Sequence, residues 1–211
     1  GPIRHVMRDV LPGEATLVTP YDGPRRLLHL HQTGYRVPDD LDMTAPGAIT
    51  RLGGLLAADP ERNHQIAADI AAALVQGRKC LVLSRRRDHL TALAALLPDA
   101  DALIMRGGTG AKALAAIRAT INNTAPGDPL LVMTTVPYGG EGFDAPTIDT
   151  VFLVGPIAYP GLLTQAVGRA LRRHVDKADV IVHDYVDADA PILNAQYAKR
   201  RTAYRAMGFT D

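Results

Sequence analysis

The chain has 211 residues, 47% of them hydrophobic and 21% charged, with a mean hydropathy of zero. Those values suit one α/β domain with ample core material and argue against disorder over most of its length. A net charge of +1 excludes a strong global attraction to nucleic acid, so any such contact must come from a local patch. No apolar run approaches the roughly 20 residues of a membrane span, and the N-terminus lacks the layout of a signal peptide, so a cytoplasmic protein is expected.

Residues 1–60 are rich in Pro and Gly, as in "LPGEATLVTPYDGP" and "RVPDDLDMTAPGAI", and read as an irregular lead-in with one strand at 25–31 and a helix near 48–58. The opening Gly-Pro is either native or the remnant that a protease leaves on removing a tag. In "RNHQIAADIAAALVQG", Ile66, Ile70 and Leu74 run beside Ala67, Ala71 and Val75 at a spacing of four, which predicts an amphipathic helix that Gly77 ends.

From Lys79 short apolar runs alternate with helical segments. The runs are "KCLVLS" (79–84), "DALIMR" (101–106), "PLLVMTT" (129–135), "DTVFLV" (149–154) and "ADVIVHDYV" (178–186), with helices near 88–97, 111–122 and 162–173 and a last one in "APILNAQYAKRRTAYRAMGF". Near-continuous Val, Leu and Ile runs are the mark of parallel strands covered on both faces. Repeated strand–helix units give right-handed crossovers, so the expected fold is a doubly wound parallel sheet. The domain is expected to span 61–190, with 191–211 as a helix packed on it.

Cys80 lies inside an apolar run and reads as core, and the one serine, Ser84, is not in a GxSxG setting. His183 and Asp184 follow an apolar stretch without a second His or Cys at ligand spacing, which points to a structural role; no metal site is expected. In "KRR" (199–201) with Tyr197 and Tyr204, either the tyrosines pack inward and expose Lys199 and Arg201, or the group binds a phosphate backbone.

Two glycine-rich turns follow predicted strands. "RGGTGAKALAAI" fails the phosphate-loop pattern but fits a loose dinucleotide pattern through Gly108, Gly110 and Ala113. The carboxylate about twenty residues on, Asp128, precedes its strand, against the rule that ribose-binding acids sit at the carboxyl end. "TTVPYGGEGFDAPTIDT" gathers Thr134 and Thr135, glycines 139, 140 and 142, and the acids Glu141 and Asp144 at the end of a buried strand, where open parallel sheets bind ligands. Beyond the next strand, Gln165, Arg169 and Arg172 stand at offsets of zero, four and seven on one helix face, and no acid occurs between Asp149 and Asp176. Guanidinium forks one helical turn apart suit a terminal phosphate.

"TTVPYGGEGFDAPTIDTVFL" resembles motif V, and "QAVGRALRR" motif VI, of superfamily 2 helicases and translocases of the DEAD/DEAH type. "KCLVLSRRRDHLTALAALL" is similar to motif IV, and the likeness extends over about 60–208. It implies a RecA-like second motor domain. By motif position Arg169 and Arg172 would be arginine fingers reaching the γ-phosphate, with Gln165 positioning the nucleotide or its water. Gly140, Glu141, Gly142 and Asp144 would line the nucleotide, Asp144 at the ribose. Thr134 and Thr135 would couple that turn to nucleic acid, while Ser84, Arg85 and Gly108 would face its backbone. ATP with Mg2+ is the implied substrate, and DNA and an upstream RecA-like domain are the implied partners. The sequence has no GK[ST] loop and no DExx pair, so the metal ligands are expected in that upstream domain, and the chain alone is expected to be an inactive, excised half of the motor. A nucleotide-cofactor oxidoreductase using Gly108 and Gly110, or a non-catalytic interaction module, are the alternatives.

Overall fold

The computed structural model describes residues 23–135, 145–157, 160–170 and 177–210. The described residues form six strands and six helices in the order β1 (Arg25–Gln32), α1 (Ala48–Ala58), α2 (Pro60–Val75), β2 (Lys79–Ser84), α3 (Arg87–Ala95), β3 (Leu103–Met105), α4 (Ala111–Asn123), β4 (Leu130–Thr135), β5 (Thr150–Leu153), α5 (Pro160–Ala170), β6 (Asp179–Val186) and α6 (Pro191–Ala206). The strands form one parallel sheet in the order β1-β6-β5-β2-β4-β3.

Side-chain alternation along β2 explains why all six of its residues are buried. Leu81 and Leu83 enter a core with Leu163, Val167 and Tyr204, whereas Cys80 and Val82 enter a second core with Ile66, Ile70, Leu90 and Leu93. One face of the sheet is therefore covered by α5 and α6, the other by α2 and α3. A third cluster joins Tyr35, Leu52 and Leu56 to Ala190 and Leu193, so α1 and the start of α6 close over the carboxyl end of the sheet.

Within the expected lead-in, β1 pairs with β6 over eight residues and belongs to the same sheet as the rest of the chain. Asp59 ends α1 and caps α2, its carboxylate accepting the Arg62 amide at 2.7 Å. Helix α2 ends as its sequence predicts. Arg78 N–H reaches Ala73 O and Gly77 N–H reaches Leu74 O, a Schellman closure with Gly77 at φ +71°. A Cβ at Gly77 would stand 2.3 Å from Gly127 O, so no other residue fits there. Val75, counted with the apolar stripe of α2, is 89% exposed: the buried face turns through Ile66, Ile70 and Ala73 and leaves Val75 outside.

Candidate functional site

Because the strands are parallel, their carboxyl ends meet along one edge, and the sheet register places Ser84 beside Thr135 and Leu83 beside Leu153. Loops leaving this edge carry most of the candidate residues.

The β2–α3 loop is held by a neutral chain of hydrogen bonds. Asn63 donates through Nδ2 to Ala57 O at 2.9 Å, leaving its Oδ1 to accept from His89 Nε2 at 3.0 Å. That fixes the tautomer: His89 Nδ1 accepts from the Ser84 hydroxyl at 3.1 Å, and Ser84 Oγ accepts the Arg86 amide at 3.2 Å. Burial, reinforced by the Arg62 charge, pushes the His89 pKa down to about 3, so the imidazole is neutral at physiological pH. Ser84 is 1% exposed, and its hydroxyl is turned to this imidazole instead of outward to a backbone. Arg85 beside it is exposed, and Arg86 pairs with Asp88 at 2.6 Å.

After β3 the chain turns at Arg106–Gly110, where Thr109 Oγ1 donates to Arg106 O at 2.8 Å and Gly108 takes φ +92°. Gly108 is exposed, and a Cβ built on it would meet nothing within 4 Å. Asp128 lies at the amino end of β4, the opposite edge from this turn, so the two cannot share a dinucleotide. Thr134 is fully buried and Thr135 is 8% exposed, closing β4. Gly140, Glu141, Gly142 and Asp144 lie outside the described residues.

From β5 the chain runs through Val154–Ile157 to α5, which buries Leu163 and Val167 completely and leaves Gln165 exposed. Position 169 follows in the same helix; its side chain and all of Arg172 lie outside the described residues. Among the described residues nothing lies within 4 Å of a Cβ built at Gly168.

Two buried ion pairs were not anticipated from the sequence. Arg62 pairs with Asp187 at 2.8 Å and Arg200 with Asp184 at 2.8 Å, and each arginine also donates to a carbonyl of the β5–α5 loop. A cavity of about 250 Å³ lies between the two loops, lined among others by Ser84, Arg85, Arg86, Gly155, Leu193 and Gln196.

The remaining candidates have structural places. His183 stacks on Phe152 at 4.3 Å and shares a 2.9 Å hydrogen bond with His31; burial takes its pKa down to about 3. Among the described residues no group of three or more His, Cys, Asp or Glu is placed to hold a metal ion. Cys80 is fully buried, which pushes its thiol pKa up and away from thiolate chemistry. In α6 Tyr204 and Arg200 are buried while Lys199 and Arg201 are exposed. No described helix is long and apolar enough to cross a membrane.

An all-parallel α/β sheet with its loops gathered at the carboxyl edge and helices on both faces defines a doubly wound fold, the class that binds ligands at that edge. The family model of the helicase conserved C-terminal domain matches residues 65–174, more than half of the chain, and the chain belongs to that family. Among solved structures it is similar to T4 UvsW, at a TM-score of 0.61 and 18% identity, over 87% of this chain and 40% of that one. It is also similar to the C-terminal part of the Fun30 ATPase domain, at a TM-score of 0.56 and 16% identity, over 67% of this chain and 47% of that one. At these identities the likeness establishes the RecA-like fold, and the chain spans less than half the length of either structure. No curated protein matches the sequence.

Proposed function

We propose that this chain is the second motor domain of an ATP-dependent helicase or translocase acting on DNA. What supports the reading most directly is α5. It leaves the carboxyl edge of the sheet, anchors itself through buried Leu163 and Val167, and carries Gln165 exposed with Arg169 four residues further along. Arg169 and Arg172 act as arginine fingers on the γ-phosphate, and Gln165 orients the nucleotide or the attacking water. The turn after β4 lines the nucleotide through Gly140, Glu141, Gly142 and Asp144, with Asp144 at the ribose. Exposed Arg85 and exposed Gly108 contact nucleic-acid phosphates, which carry no sequence information. Thr134 and Thr135, buried at the end of β4, couple these two regions through the backbone.

MgATP is the substrate, bound between this domain and an upstream RecA-like domain that supplies the phosphate loop and metal ligands. Alone, this domain turns over ATP negligibly, because its contribution is to stabilise charge that develops on a phosphate held elsewhere. The test is DNA-stimulated ATP hydrolysis by the polypeptide that carries both motor domains. Arg172→Ala should lower the rate by about 10² or more while leaving ATP binding largely intact. An unchanged rate would make the basic helix a solvated or partner-binding face and end the finger assignment.

A further inference from the structure

Four buried charges meet where α5 is launched. Arg62, 2% exposed in the first turn of α2, donates through Nε and one terminal nitrogen to the two oxygens of Asp187 at 2.8 and 3.2 Å. Its other terminal nitrogen donates to Val154 O at 2.8 Å. Arg200, 4% exposed in α6, makes the same fork on Asp184 at 2.8 and 3.0 Å and donates its remaining nitrogen to Ile157 O at 3.3 Å. The carboxylates are further fixed by Thr33 Oγ1 on Asp187 at 2.6 Å and the Tyr204 hydroxyl on Asp184 at 2.8 Å. The two anchored carbonyls lie three residues apart and bracket Gly155–Pro156.

Stability alone does not account for this arrangement. Desolvating a buried ion pair costs about as much as the pair returns, and packed apolar side chains of similar volume do as well or better. What a planar guanidinium adds is direction: once two of its N–H groups are locked on a carboxylate, the line of the third is set. The reference body is rigid, because Asp184 belongs to β6, which is paired on both sides by β1 and β5, and Asp187 follows that strand directly. The guided body is the short loop from β5 to α5.

We propose that Arg62 and Arg200 are positioning residues of the motor, each fixing one end of the Val154–Ile157 loop to the carboxyl end of β6 and so setting where α5 delivers Gln165 and the arginines that follow it. The proposal rests on the reading of α5 as the finger helix, and its test separates the two. A nitroxide on Thr164→Cys, exposed on α5, reports the helix, and one on Thr120→Cys, exposed on α4, serves as reference; the native Cys80 is buried and unreactive. The variant Arg200→Met/Asp184→Leu/Tyr204→Phe removes the fork and its partners while keeping their bulk. In this chain the α5 label should gain mobility and the α4 label should not. In the polypeptide with both motor domains, kcat for DNA-stimulated ATP hydrolysis should fall by about 10², as a displacement of about 1 Å can cause. The KM for ATP and the affinity for an oligonucleotide should stay within about twofold. Arg200→Lys, which keeps the charge and loses the fork, carries the same test should the triple variant not fold.

Equal loosening of both labels, an α5 label that does not respond, or an unchanged kcat would each overturn the proposal. Failure of Arg172→Ala to affect hydrolysis would instead remove the finger reading, with the label comparison still reporting on the clamp.

Discussion

The β2–α3 and β5–α5 loops are in contact at the carboxyl edge of the sheet, where a Cβ on Gly155 would stand 3.4 Å from Ser84 Oγ, yet different chemistry holds them. The first hangs on the uncharged relay Asn63–His89–Ser84, in which each link depends on which imidazole nitrogen carries the proton. The second is held by two charged forks whose geometry does not change with tautomer. The difference is between a support made of single hydrogen bonds between neutral groups and one made of two-point guanidinium–carboxylate forks. The loop beside Arg85, which is proposed to contact nucleic-acid phosphates, has the uncharged support, and the loop that leads to α5, proposed to carry the arginine fingers, has the charged one.

Breaking the charged side should have the largest effect. Arg62→Ala leaves Asp187 buried without its main partner and should cost about 3–5 kcal/mol in urea unfolding. The matched pair Arg62→Met/Asp187→Leu should recover most of that loss; if it does not, the pair contributes net stability and the contrast between the loops is not one of direction. The neutral side should show itself through pH. His89 and His183 have folded pKa values of about 3, below the usual 6.5, so the unfolded chain binds protons that the folded chain refuses. Stability is thus full above about pH 6.5 and falls as pH drops toward 3, by roughly 2 kcal/mol per histidine at pH 5. Urea midpoints measured between pH 7 and 5 should fall accordingly, and His89→Gln should flatten part of the slope. A slope that His89→Gln leaves unaltered would place the proton elsewhere. Losing the α2 cap in Asp59→Ala should cost about 1 kcal/mol by thermal unfolding. The smallest effect belongs to Arg86→Ala, whose ion pair with Asp88 is largely exposed and should change stability by less than about 0.5 kcal/mol.

Much of the fold is legible in the sequence because it is locally encoded. The run at 79–84 is β2 residue for residue, since a strand buried on both faces must be apolar throughout. The run at 101–106 forms a strand only over 103–105, because β3 stands at the sheet edge and pairs with β4 alone. Of the candidate site, Arg85, Gly108 and Gln165 are open to a ligand, whereas Ser84 and Thr134 are buried, a distinction that motif position does not carry. The clamps join residues 125 and 16 positions apart, and no local pattern announces such partners. A trace was nevertheless present. Stepping back four residues from Ile66 and Ala67 along the buried stripe of α2 reaches Arg62 and Asn63, a charged and a polar residue on an inward face. Likewise His89 stands four residues before buried Leu93 on α3, and Arg200 four before buried Tyr204 on α6. A polar residue in register with a core stripe is one whose partner remains to be found.

Arg62 and Asn63 are consecutive in the chain, one gripping the loop that leads to α5 and the other the relay behind the β2–α3 loop. Both therefore hang from one turn of one helix, and that turn is fastened to α1 through Asp59. A substitution that displaces the first turn of α2 should therefore disturb both loops together, whereas one confined to Asp184 or Arg200 should reach the β5–α5 loop alone.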